Sequence, residues 1–198
     1  MHEHQTYIKS EVTAETVLRH LSPDSRLIVT GQIGCGKTTL ASQICSQLGL
    51  AHISIDDYNG DPDPKASASR AVTSQVGGWV AEANVWQIPD AVWEAAELVC
   101  FLDYPNVTHY LRIIRRCLQA CMKQRSWATI RRTIGSEWYH MKIIRLYANK
   151  NRAGWHEQGG ITKSATPVIR SASPRVTKML LARMTTTSGM QATAGRGA

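Results

Sequence analysis

Residues 31 to 38 read Gly-Gln-Ile-Gly-Cys-Gly-Lys-Thr, an order of glycines, a lysine and a hydroxyl that suits the holding of a polyphosphate. Glycine at 31, 34 and 36 lets the backbone turn with positive φ and bring its N–H groups to phosphate oxygens, where a Cβ would clash. Lys37 supplies a point charge to β- and γ-phosphates, and the hydroxyl of Thr38 completes the coordination of Mg²⁺. A helix opening at Lys37, Thr38 and Thr39 adds its partial positive charge. The expected ligand is a nucleoside triphosphate, ATP with Mg²⁺, and Lys37 is expected at an exposed junction of loop and helix. Cys35 lies inside the loop, where a helix N-terminus can lower a thiol pKa and favour oxidation; the plainer reading is a small residue that fits.

Such a loop works only between a strand and a helix, and the flanking residues supply both. RLIVT, residues 26 to 30, is a β-branched apolar run of the kind found in buried parallel strands. KTTLASQICSQL, residues 37 to 48, carries Leu40, Ile44 and Leu48 at helical spacing, with Gly49 as the stop. Further strands are expected over HISI (52–55), WVAEA (79–83), LVCFLD (98–103) and TPVIRS (166–171). The stretch YNGDPDPKASAS after the second strand reads as a mobile acidic loop. An amphipathic helix is expected over Asn106 to Arg125, with Tyr110, Ile114, Cys117 and Cys121 on one side and Arg112, Arg115, Gln119 and Lys123 on another. Another is expected over Ser136 to Asn149, and a last one behind a Ser173 cap and Pro174, running through Met184. Alternating strands and helices define a three-layer α/β fold with a parallel sheet. The expected organisation is a polar lead-in over residues 1–24 with a short helix near Ala14 to Leu21, one domain over 25–185, and a disordered tail over 186–198.

The chain has 198 residues, 43% of them apolar, enough for one core and too few for two. No run of about 18 apolar residues is present, and the start MHEHQTYIKS has no apolar segment of a secretory signal. A cytoplasmic setting and no membrane partner are the expectations. The five cysteines, with no CxxC pair, are expected to be reduced; Cys117 and Cys121 read as buried small side chains rather than half a metal site. The net charge of +8 is unevenly spread: residues 1–103 hold 6 Lys/Arg against 13 Asp/Glu, and residues 104–152 hold 11 against 1. That second region is expected to meet an anion, for which the phosphates of a small substrate, nucleic acid and a membrane surface all qualify.

The blocks TGQIGCGKTTLASQICSQLGLAHISIDD, GGWVAEAN, AELVCFLDYP and LRIIRRCL together resemble small P-loop kinases of the adenylate-kinase-like and topology-modulation-protein type. The resemblance spans about Leu27 to Gln119. It implies that ATP binds the glycine-rich loop, that Asp56 or Asp57 after the second strand faces the phosphoryl acceptor or its metal, that Asp103 stands on the metal side, and that Arg112, Arg115 or Arg116 clamps phosphate. The family's WV-x-E-G-N pattern carries Ala83 here in place of glycine.

Independently of the resemblance, Asp56 and Asp57 follow an apolar strand at the carboxyl edge where ligands bind in open α/β sheets. Turn-capping is their alternative, and for Asp103 too. If strand geometry continues, only one of Asp56 and Asp57 faces the cleft. Arg115 and Arg116 suit bidentate phosphate contact, against the alternative of a solvated helix face. Trp79, Trp86 and Trp93 read as core. The leading functional class is a kinase acting on a small-molecule acceptor, such as a nucleotide or nucleoside. A nucleic-acid-associated NTPase is favoured instead by Trp127, Trp138, Tyr139 and Tyr147 among the basic residues. A non-catalytic nucleotide-dependent regulator is the third class.

Overall fold

A computed structural model of the chain describes residues 21–123, 126–149 and 166–182. The expected lead-in helix and the tail lie outside the described residues. Five strands, β1 (Arg26–Gly31), β2 (Ala51–Ser54), β3 (Trp79–Ala83), β4 (Leu98–Leu102) and β5 (Val168–Ser171), form one sheet in the order β2-β3-β1-β4-β5. Every pairing is parallel, with Leu27 opposite Val80 on one side and Leu98 on the other.

Alternation along the central strands divides the core into two layers. Leu27 and Val29 of β1 point to one face, with Val80, Leu98 and Cys100, against Leu40, Ala41, Ile44 and Leu48 of helix α1 (Lys37–Leu48). Ile28 points to the other, with Ala81, Val99 and Phe101, against Ala68 and Val72 of α2 (Pro64–Thr73) and Val92 and Trp93 of α3 (Asp90–Ala95). A sheet buried on both faces explains why its strands read as continuous apolar runs. The remaining helices are α4 (Asn106–Lys123), α5 (Trp127–Asn149) and α6 (174–182), the last capped by Ser173, whose Oγ accepts from the Val176 N–H at 3.3 Å.

Several elements differ from the sequence expectation. The acidic loop contains α2: Pro64 occupies its first turn, Asp63 accepts from the Ala66 N–H at 3.0 Å, and Ala68 and Val72 supply a buried edge too narrow to show as a periodic stripe. Residues Ile55–Tyr58 form a 3₁₀ turn, so strand alternation does not govern Asp56 and Asp57. In α4 the buried residues are His109 and Ile113, while Ile114 is exposed, because only the first turns of the helix lean on the phosphate loop. Helix α5 begins nine residues before Ser136 and passes through Gly135.

Candidate nucleotide-binding site

The chain leaves β1 to build β2 and β3 on one side and β4 and β5 on the other, so the sheet order reverses at the carboxyl end of β1. Ligands of open α/β sheets bind in the crevice at such a point, and residues 31–38 lie there. A Cβ on Gly31 would sit 2.5 Å from the Leu102 carbonyl oxygen, so this close crossing of β4 requires glycine. Gly36, at φ 91°, is the N-cap of α1 in the left-handed region; it offers no side-chain cap, and the first turn has no acid. The positive end of the helix is left for an external anion.

Lys37 is not at an exposed junction. It is only 8% exposed, and its Nζ donates to the carbonyls of Gly31 (3.4 Å) and Gln32 (3.3 Å) and to Asn84 Oδ1 (3.1 Å). All three acceptors are neutral, and a buried ammonium held by neutral oxygens is short of a counter-charge. Beside it the Thr38 hydroxyl donates at 2.9 Å to the carboxylate of Glu82, itself 3% exposed at the end of β3. With its proton committed, the hydroxyl keeps its lone pairs for a cation, and the carboxylate adds a second hard oxygen. These residues fit a triphosphate with Mg²⁺.

The cleft over the loop has a volume of about 940 Å³. It is lined by Gly34, Gly36, Lys37, Thr38, Thr39 and Glu82 from the loop, α1 and β3, by Asp56, Asn59, Asn84, Trp86 and Gln87 from the turns after β2 and β3, and by Arg112, Arg116, Tyr139 and His140 from α4 and α5. Asp56 Oδ1 accepts from Gln87 Nε2 at 2.6 Å and from Asn59 Nδ2 at 3.3 Å. Gln87 in turn caps Asn84, accepting its backbone N–H at 3.2 Å, so a polar chain links Asp56 to the Asn84 that holds Lys37. Arg112 donates from Nη1 to the Cys35 carbonyl and lies 5.0 Å over the Tyr104 ring. Arg116 is bidentate to Glu137, at 2.8 and 2.5 Å, and His140 Nδ1 is 3.1 Å from the same carboxylate. Desolvation pushes the Glu137 carboxyl up, but the hydrogen bonds from Arg116 and His140 outweigh it and hold the pKa below its usual value.

The structure thus brings together Gly34, Gly36, Lys37, Thr38, Thr39, Asp56, Arg112 and Arg116, with Gly31 and Cys35 in the loop beneath. It does not bring in Asp57 and Arg115, which are exposed outside the cleft lining, or Asp103, whose carboxylate is tied to Arg170 at the ends of β4 and β5. The acid beside Thr38 is Glu82. Cys35 is 1% exposed, and desolvation raises its thiol pKa despite the lowering influence of Lys37. It is a packed thiol rather than an activated one. Cys117 and Cys121 are half-exposed rather than buried, and among the described residues no group of three His, Cys, Asp or Glu side chains is placed to hold a metal. Trp79 and Trp93 are core, whereas Trp86 is 39% exposed and lines the cleft.

The parallel sheet with its glycine-rich loop between β1 and α1 is a three-layer α/β fold of P-loop type. No protein-family model and no curated protein matches the chain. Among solved structures it is similar to the shikimate kinase of Bacteroides thetaiotaomicron, at 15% identity over 81% of this chain and 95% of that one, with a TM-score of 0.48. A shikimate kinase from Acinetobacter baumannii in complex with shikimate is 12% identical over 86% and 92%, also at 0.48. A gluconokinase from Sinorhizobium meliloti 1021 is 11% identical over 90% and 100%, at 0.47. At such identities and scores, likeness of backbone says nothing of substrate or activity, which must be argued from the cleft itself.

Proposed function

We propose that the protein is a kinase that transfers the γ-phosphoryl group of ATP to a hydroxyl or phosphate oxygen of a small acceptor. The observation that carries this reading is that one cleft is lined both by a buried ammonium with only neutral acceptors, Lys37, and by a carboxylate, Asp56. A pure nucleotide binder needs only the ammonium. Bound ATP with Mg²⁺ supplies the electrophilic phosphorus and the leaving diphosphate. Gly34, Gly36 and the first N–H groups of α1 then cradle the phosphates, and Lys37 exchanges its carbonyl partners for phosphate oxygens. Thr38 and Glu82 hold the cation, and Arg112 and Arg116 neutralise charge across the cleft. Asp56 orients the acceptor and takes the proton of its hydroxyl as the new P–O bond forms and the β–γ bridge breaks. Catalysis in this scheme is positioning and charge neutralisation.

The test is ATP turnover with a panel of hydroxyl and phosphate acceptors. Stimulation by one class over the background supports the kinase; Mg²⁺-ATP binding with no acceptor-dependent turnover overturns it. Thermal unfolding gives the binding half separately. ATP with Mg²⁺ at about 100 times its Kd stabilises the fold by about 2.7 kcal/mol, and AMP is expected to stabilise it less, because the loop grips β- and γ-phosphates. Equal shifts with AMP and ATP would place the main nucleotide contact elsewhere.

The cation pair has its own check. Thr38→Ala and Glu82→Gln are each expected to weaken Mg²⁺-ATP by about 10- to 100-fold, as loss of groups that hold or orient a metal does, while metal-free ATP changes little. Titrations with and without Mg²⁺ measure both, and equal losses in the two would remove these residues from the metal.

A further inference from the structure

Helix α5 carries the cleft residues His140 and Ile143 on one side and Glu137 packed toward Arg116. The other side is exposed and has a composition the cleft does not use. Trp127, Arg131, Ile134, Trp138, Lys142 and Arg145 follow one another at spacings of four, three, four, four and three. At 3.6 residues per turn they fall within an arc of about 80°. Trp127 is 79% exposed, Ile134 48% and Trp138 68%, and the three basic residues are exposed as well. Three large apolar side chains and three cations thus share a single line, with no acid on it. The only carboxylate between residues 104 and 152 is Glu137, already occupied by Arg116 and His140.

We infer that this face of α5 docks on an anionic lipid surface, its indoles and Ile134 entering the headgroup boundary while Arg131, Lys142 and Arg145 meet lipid phosphates and carboxylates. Indoles favour the headgroup level of a bilayer, and the long Arg and Lys side chains beside them can lie along the surface with their heads on lipid phosphates. The absence of a membrane-spanning helix among the described residues is compatible with this, because a helix docked in this way lies in the interface rather than across it. Charge decides among the occupants. A second copy applied through the same face would set three cations against three cations with no acid to relieve them. A nucleic acid strand would gain from the indoles, but Ile134 stands between them on a convex helix, where single-strand sites use grooves with successive stacking faces. The neighbouring helix α4 adds a row that suits lipid and not bases: Val107, Leu111, Leu118 and Met122 are all at least 60% exposed, in a helix with no acidic residue.

Cosedimentation of the full chain with phosphatidylcholine vesicles, with and without phosphatidylserine, tests the inference. Binding is expected to the phosphatidylserine vesicles only, and to fall with added salt. Arg131→Ala and Lys142→Ala should each weaken it about five-fold, the worth of one basic residue near an anionic leaflet. The double variant Trp127→Ser with Trp138→Ser should abolish it, with unchanged circular dichroism, since both indoles lie in solvent. Binding to both vesicle types alike, or to neither, overturns the proposal. So does binding that these variants leave untouched, a dimer that Trp138→Ser dissociates, or tighter binding to a single-stranded oligonucleotide than to the vesicles.

Discussion

Lys37→Met is expected to lower phosphoryl transfer by at least about 10²- to 10³-fold, the usual cost of removing one preorganised charge-stabilising donor, and to weaken triphosphate binding. Methionine is the informative replacement because it keeps most of the unbranched stem that fills the space under the loop, where Lys37 is 8% exposed. Alanine would mix the loss of charge with a cavity. The Nζ contacts to Gly31, Gln32 and Asn84 are made to neutral oxygens at 3.1 to 3.4 Å. Losing them leaves three acceptors short of a donor, at about 1 to 3 kcal/mol for each that stays buried and unsatisfied, so folding is measured beside turnover. Isothermal titration with ATP, steady-state turnover and thermal unfolding of the same variant separate the three effects. Unchanged affinity and turnover would mean that the buried ammonium has a structural role only.

The course of the loop was legible in the sequence because its requirements are local, although the burial of Lys37 was not. Gly31 must pass close to Leu102, Gly36 must take φ 91°, and both needs show as glycine at a fixed distance from Lys37. The strands were legible for a similar reason: burial on both faces leaves runs such as Leu98–Leu102 with no polar interruption. What lay outside local reach was partnership. Glu82 reads as one residue of a strand, and only the register that sets Val29 beside Glu82, with Thr30 one step on, shows its carboxylate arriving at Thr38. A single acid inside an otherwise apolar strand, within the WVAEAN block, was the signal available. Trp86 looks like its companions Trp79 and Trp93 in sequence, and its place on the cleft comes from the 3₁₀ turn Val85–Gln87 that re-aims the chain after β3. In α4 the helical period was correct and the inward face was not. A helix that leans on the phosphate loop through its first turns and otherwise packs on α5 can keep an apolar stripe in solvent, and periodicity does not say which stripe is buried.

Asp56→Asn is expected to lower kcat by about 10²- to 10⁴-fold, the range for lost acid–base help, with little change in ATP affinity. The substitution keeps shape and removes the negative charge and the capacity to take a proton. Asp56 lines the same cleft as Thr38 and Glu82, oriented by Gln87 at 2.6 Å and Asn59 at 3.3 Å. Both of those partners donate through amide N–H groups, which an asparagine oxygen can still accept, so the loop need not rearrange. Asp57 is the built-in control: it shares the 3₁₀ turn and its exposure but does not line the cleft, and Asp57→Asn should keep turnover within about two-fold, as surface substitutions ordinarily do. Gln87→Ala tests the orienting role, since losing it should reduce kcat less than Asp56→Asn while leaving the carboxylate in place. Measuring turnover and ATP binding for the three variants discriminates between a residue that acts on the acceptor and one that shapes a turn. Full turnover in Asp56→Asn would mean that the acceptor meets another part of the cleft, and the kinase reading would then rest on the phosphate loop alone. A fall in kcat for Asp56→Asn, with ATP binding and the Asp57→Asn variant both intact, would locate the acceptor hydroxyl beside Asp56, because of the two carboxylates only Asp56 lines the cleft.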